Sequence, residues 1–161
     1  MAGENKKPIT VAISGGFDPI HFGHVRMIQE ARALGDRLLV IINNDNWLKK
    51  KKGFVFMPEA ERQEVMEAIK GVSEVVLTEH LPDTKDMTIC DALQKYQPDI
   101  FANGGDRDKK DADNQASSLN PEQLLCQELG IKMVFNVGRG GKVQSSSELV
   151  KKYSHNRENQ S

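Results

Sequence analysis

The chain has 161 residues, enough for one domain with its own apolar core and too few for a second of ordinary size. Lys and Arg number 22 against 23 Asp and Glu, a formal net charge of -1, so no global charge favours nucleic acid or an acidic membrane as partner. No run approaches the roughly 20 apolar residues of a membrane span, and Met1 to Lys7 lacks the apolar centre of a signal peptide, which points to a soluble, cytoplasmic protein.

Residues 1–7 read as a flexible N-terminus, 8–155 as a single domain and 156–161 as a flexible tail. Ile9 to Ile13, short and β-branched, reads as a buried strand, and Val25, Ile28, Ala31 and Leu34 recur at helical spacing until Gly35 ends the helix. The junction is Ile13-Ser14-Gly15-Gly16-Phe17-Asp18-Pro19-Ile20-His21-Phe22-Gly23-His24. Its glycines let the backbone approach a ligand, and a helix starting near Gly23 points free N–H groups at an anion. His21 and His24 share one side of that helix start, where paired imidazoles suit charge developing on a nucleotide α-phosphate.

Arg37 to Ile42 supplies a second strand, apolar nearly throughout as in a parallel sheet covered on both faces, and completes a β-α-β unit. Asn43 to Leu48 and Lys49 to Lys52 show no period and read as a loop. The four lysines are either a solvated face or a lid over a triphosphate, and Asn43, Asn44 and Asp45 are available to line an acceptor pocket. Pro58 opens a second helical segment with Val65, Met66 and Ile69 inward. On it Arg62 either pairs with Glu59 or Glu61 at the surface or reaches a phosphate.

Val75 to Leu77 reads as strand three, Thr84 to Tyr96 as a helix, and Asp99 to Ala102 as strand four. Asn103-Gly104-Gly105-Asp106-Arg107 then forms a second glycine loop at the carboxyl edge. Asp108 to Asn114 reads as surface loop; counted from Asp106, position twelve is Ser117, so a calcium loop is rejected. Asn120-Pro121 starts a helix with Leu124, Leu125 and Leu129 inward, Ile131 to Val137 is strand five, and Ser145 to about Tyr153 is the last helix. Ser145 and Glu148 have capping-box spacing; the alternative is that Ser145, Ser146 and Ser147 hold phosphates beside Arg139 or Lys142. Cys90 and Cys126 lack metal or redox spacing and read as reduced, partly buried thiols. Altogether the pattern predicts an α/β, Rossmann-like, doubly wound, mainly parallel five-stranded sheet with helices on both faces.

Gly-Gly-Phe-Asp-Pro-Ile-His-Phe-Gly-His at 15–24 resembles the signature of the cytidylyltransferase-like nucleotidyltransferases, and its His-x-Gly-His is similar to that of class I aminoacyl-tRNA synthetases. The lysine run and Glu61-Arg62 resemble glycerol-3-phosphate cytidylyltransferases. Gly104-Gly105-Asp106 resembles bacterial heptose-1-phosphate adenylyltransferases, and Gln144 to Ser147 the family's phosphate-holding serine segment. The resemblance spans Ile9 to about Tyr153 and implies in-line attack of an acceptor phosphate on an NTP α-phosphate, with Mg²⁺ and no covalent enzyme intermediate.

Carried over, His21, His24, Asp18 and Lys51 are the catalytic set. Gly15, Gly16, Phe17, Gly105, Asp106, Arg107, Arg139 and Ser145 to Ser147 bind nucleotide, and Asn43, Asp45, Lys50 and Arg62 bind acceptor. A homodimer is implied by the resemblance alone, and the metal ligands are unassigned. Arg107, the longer 139–143 loop and Gln144 depart from the pattern and leave CTP against ATP open. The downstream segments favour a phosphorylated sugar or polyol as acceptor. The rivals are an adenylyltransferase completing a cofactor such as FAD, or acting on nicotinate mononucleotide or phosphopantetheine, and a regulatory module that binds nucleotide without turnover.

Overall fold

Five parallel strands carry the chain: β1 (Thr10–Gly15), β2 (Arg37–Ile42), β3 (Glu74–Leu77), β4 (Ile100–Gly104) and β5 (Lys132–Val137), in the spatial order β3-β2-β1-β4-β5. The computed structural model describes residues 5–105, 107–138 and 144–159; Asp106, Arg139 and Lys142, named from the sequence, lie outside these. Winding out from β1 through β2 to β3, then crossing back to β4 and β5, puts the intervening helices on opposite faces. One face packs Val11, Ile13, Val40 and Ile42 against Ile28 and Ala31 of α1 (Phe22–Arg32) and Met66 of α3 (Glu59–Glu67). The other packs Ala12, Leu39, Ile41 and Phe101 against Leu93 of α4 (Cys90–Tyr96) and Leu119 and Cys126 of α6 (Leu119–Leu129). Each fully buried large apolar side chain contributes roughly 1.5–3 kcal/mol, so both faces of β1 and β2 must be apolar. That is the continuous pattern the sequence shows.

The strands of the α/β sheet stand where the sequence puts them, and all are parallel. Several connections differ. Residues 45–52 form helix α2 (Asp45–Lys52) rather than a loop: the Asn44 side chain accepts from Trp47 N–H at 3.0 Å, Gly53 closes the far end at φ 83°, and the lysines stand at the negative end of the dipole. Leu48 is its one buried residue, so no period is visible. Conversely, 84–89 is not helical. Thr84, Asp86 and Thr88 spend their side chains on neighbouring backbone and on each other, a local alternative to helix, and α4 begins only at Cys90.

Asp108 caps a short helix, α5 (Lys109–Asp113), where a surface loop is expected. Helix α6 starts at Leu119, ahead of Asn120, whose amide donates to Ala112 O at 2.8 Å; Leu124 faces solvent, and Glu122 and Gln123 are buried instead. Val65 and Leu34 are likewise exposed. The last helix, α7 (Ser146–Glu158), runs beyond Tyr153 into the expected tail. No helix among the described residues is long and apolar enough to cross a membrane.

Candidate active site

The histidines cap α1 with their own rings. His21 is the N-cap residue, its Nδ1 accepting from Gly23 N–H at 3.2 Å, while His24 Nδ1 accepts from His21 N–H at 3.2 Å. Together they make a reciprocal capping box in which imidazoles replace the usual hydroxyl and carboxylate. Because each Nδ1 accepts, the proton of each neutral ring sits on Nε2. The rings stack with centroids 3.7 Å apart, and Phe17, at φ 51°, meets His24 edge-on at 4.9 Å. Burial lowers the pKa of His21; burial, then the charges of His21 and Lys52, lowers His24 to about 3. Near neutrality both rings are therefore uncharged and each offers an Nε2–H donor. Such fixed donors stabilise charge that develops during reaction.

Beneath them the loop is held by charge. Asp18, 2% exposed, accepts from Phe56 N–H at 2.7 Å and Met57 N–H at 2.5 Å. Arg62 is fully buried and donates to Met57 O, Gly16 O, Asn43 O and Asp45 Oδ1 at 2.7–2.9 Å. It neither pairs with Glu59 or Glu61 nor extends into the cleft; it braces the site from below. Its partner Asp45 is tied down in the same way. Lys52 is half-buried near Asp18, Arg62 and His24. Burial lowers its pKa, the Asp18 charge opposes that, and Arg62 adds to it. The histidines' cationic neighbour is thus Lys52, where the family resemblance selects Lys51.

Strand β1 pairs with β2 along all six residues but with β4 only at Val11 and Ala12. The sheet parts beyond that point, where the winding reverses and α/β sheets take ligands. A cleft of about 760 Å³ opens there, with Ser14, Gly15, Gly16, Asn43 and Lys51 on one side and Arg107 and Glu122 on the other. Gly16 has a packing reason of its own: a Cβ there would sit 3.0 Å from Leu48 Cδ2 of α2. Lys50 instead pairs with Asp83 at 2.6 Å, and Gly105 (φ 65°) turns the chain toward Arg107.

Helix α7 is joined to the histidine loop, since Ser146 Oγ donates to Pro19 O at 2.7 Å. Ser145 caps the helix by accepting from Glu148 N–H at 3.4 Å, and Ser147 is exposed. The described residues thus bring Gly15 to Phe17, Asp18, His21, His24, Asn43, Lys51, Arg107 and Ser146 to one carboxyl edge. Lys50, Asp45 and Arg62 are spent on other contacts.

Two residues were beyond sequence reasoning. Lys52 was one of four equivalent lysines. Glu122 had a faint signal, since it falls on the buried face of α6 with Leu119 and Cys126. Asp18 gives both oxygens to backbone N–H groups, and no cluster of three His, Cys, Asp or Glu side chains occurs among the described residues.

Against known proteins, the family model described as cytidylyltransferase-like matches residues 12–151. The FAD synthase of Pyrococcus abyssi (strain GE5 / Orsay) is 38% identical over 109 residues, covering 67% of this chain and 69% of that protein. The ethanolamine-phosphate cytidylyltransferase of Dictyostelium discoideum is 40% identical over 92 residues, covering 53% of this chain but 26% of that one. The bifunctional protein HldE of Koribacter versatilis (strain Ellin345) is 35% identical over 98 residues, 60% of this chain and 19% of its own length. Among solved structures, the lipopolysaccharide core biosynthesis protein from Thermoplasma volcanium GSS1 superposes with a TM-score of 0.64 at 24% identity, over 82% of this chain and 98% of that one, a likeness of fold. With residues 12–151 of the chain matched by that model, and with these relatives, the chain belongs to the cytidylyltransferase-like family of nucleotidyltransferases.

Proposed function

We propose that the protein transfers a nucleotidyl group, CMP or AMP, from its triphosphate to a phosphorylated sugar or polyol and releases pyrophosphate. The observation that carries this is the stacked, neutral pair His21 and His24, each with Nδ1 occupied and Nε2–H free to donate, beside the cleft at the parting of β1 and β4. A phosphate oxygen of the acceptor attacks the α-phosphorus as the bond to the β-phosphate's bridging oxygen breaks. The two Nε2–H groups hold the charge gathering on the α-phosphate oxygens. Lys52 adds positive charge on the histidine side, and Lys51 reaches the acceptor phosphate from the cleft wall. The N-terminus of α7, tied to Pro19 through Ser146, takes the departing phosphates. Mg²⁺ belongs to the proposal as the counter-ion of the triphosphate, bound by phosphates rather than by a protein cage. A homodimer belongs to it as well, to be tested by light scattering.

A second reading, adenylation of FMN, is supported by relatives named FAD synthase and by Trp47, Met87 and Ile89 in the cleft, which suit a flat ring. The test is pyrophosphate release from CTP and ATP, each against sugar phosphates, polyol phosphates and FMN, with products identified by mass. One active sugar or polyol pair supports the first reading. Activity with ATP and FMN alone supports the second, and release without any acceptor overturns both.

A further inference from the structure

Glu122 sits on the inward face of α6, 2% exposed, and lines the cleft that Ser14 and Gly15 open. Its Oε2 has no hydrogen-bond partner among the described residues. Arg107 Nη2 stands 3.7 Å from it, too far for a hydrogen bond, and Arg107 Nε lies 4.0 Å from Asp111 Oδ2. On the same cleft Asn43, 5% exposed, has an Oδ1 with no donor among the described residues. A carboxyl kept for packing alone is closed by its guanidinium at bonding distance, or is replaced by an apolar side chain with little loss. A bare one costs stability, and such groups gather at functional sites. Burial pushes the pKa of Glu122 up to about 7 against the pull of Arg107 and of the Ile89 backbone N–H, and Oε2 is left as its unpaired atom.

The geometry points to Glu122, assisted by Asn43, as the specificity-determining group that accepts hydrogen bonds from hydroxyl or N–H groups on the body of the phosphorylated acceptor. This rests on the nucleotidyl-transfer reading above. The α1 N-terminus with its histidines and Ser146 lie outside the cleft wall and join it through Gly15 and Gly16, while Lys51 stands on the wall itself to meet the acceptor phosphate. With the acceptor phosphate at Lys51, the rest of the cleft, where Glu122 and Asn43 stand, takes the body of that substrate. Beside Trp47, Met87 and Ile89 the wall carries Ser14, Asn114, Ser117 and Ser118, and on it the Glu122 and Asn43 oxygens are buried acceptors without a partner among the described residues, which a ligand's donors would satisfy.

The test uses the full chain and its Glu122→Leu and Glu122→Gln variants with two matched pairs: glycerol 3-phosphate against propyl phosphate, and ethanolamine phosphate against ethyl phosphate. In the wild type, kcat/KM favours the donor-bearing member of one pair, which also separates hydroxyl from N–H recognition. Glu122→Leu cuts that preference by roughly 10- to 100-fold, the worth of a hydrogen bond to a charged group. The change falls on the acceptor KM, with the KM for NTP held within about twofold on the same reasoning. Glu122→Gln, which keeps an acceptor oxygen, retains part of the preference. The unliganded Leu variant melts no lower than the wild type.

An unchanged preference, a shift in the NTP KM instead, or a lower melting temperature would each overturn the assignment, the last by revealing a structural ion pair. Failure of the enzyme reading looks different: no pyrophosphate is released by the wild type with any acceptor. Calorimetric binding of the same four phosphates to wild type and Glu122→Leu then decides the role of Glu122, and equal binding or none overturns it.

Discussion

Arg62 Nη1 donates to the carbonyl of Gly16 at 2.7 Å, and the same nitrogen donates to Asn43 O, so a side chain of α3 ties the carboxyl ends of β1 and β2 together beneath the site. Its remaining donors meet Met57 O and Asp45 Oδ1. Arg62→Met would leave three carbonyls and a carboxylate without their donor in a buried space. We expect a loss of about 3–5 kcal/mol, read from urea unfolding, with Arg62→Lys nearly as damaging because an ammonium cannot reproduce the fork. A loss below about 1 kcal/mol would mean that water replaces the guanidinium.

His24→Ala removes half of the α1 cap and, in the proposed reaction, a donor to the α-phosphate. Pyrophosphate release should fall on the order of 100- to 1000-fold, while circular dichroism at neutral pH stays that of a folded chain. His21→Ala should fall similarly in rate. Full activity in either variant would remove the histidines from the chemistry.

Lowering the pH exposes the cost of keeping His24 uncharged. Its folded pKa, about 3, lies below the ordinary 6.5, so the unfolded chain takes up a proton that the folded one refuses. The stability this residue contributes is complete above pH 6.5 and is lost as pH falls toward 3, by on the order of 4 kcal/mol. Unfolding curves at pH 7 and pH 4 should therefore diverge less for His24→Ala than for the wild type.

Glu122 has the opposite sign. Burial raises its pKa from 4.5 to about 7, Arg107 opposing and Asp86 and Asp111 reinforcing. Its contribution is complete below pH 4.5 and is lost as pH rises through 7, by about 3 kcal/mol. Glu122→Gln, which cannot ionise, should gain on the wild type across that window, measured as melting temperature against pH.

Asp18→Asn tests the loop that carries Phe56 and Met57. Both carboxylate oxygens accept backbone N–H groups, and an amide would set its own NH₂ against one of them. The expected cost is about 1.5–3 kcal/mol in urea unfolding, with an added loss of activity as Lys52 loses its anionic neighbour.

The sequence alone determined the alternation of strands and helices, the parallel sheet and the meeting of glycines and histidines at one strand-to-helix junction. Those features are local: a buried strand must be apolar, a helix must repeat its apolar face, and a spacing of three puts His21 and His24 on one side. Helix α2 escaped because capping by Asn44 and Gly53 and the burial of a single leucine create no period. Arg62 has the spacing of a surface residue; only packing α3 across Gly16, Asn43 and Asp45 shows that its charge is satisfied from below. Lys51 and Lys52 differ by one helical step, and tertiary packing alone turns one to the cleft and the other toward His24. Glu122 lies 98 residues from His24 in the chain, and the parting of β1 from β4 puts its bare oxygen in the cleft beside Gly15. Partners so distant leave no trace in local periodicity, because what selects them is the free energy of burying charge, which exists only once the chain has folded.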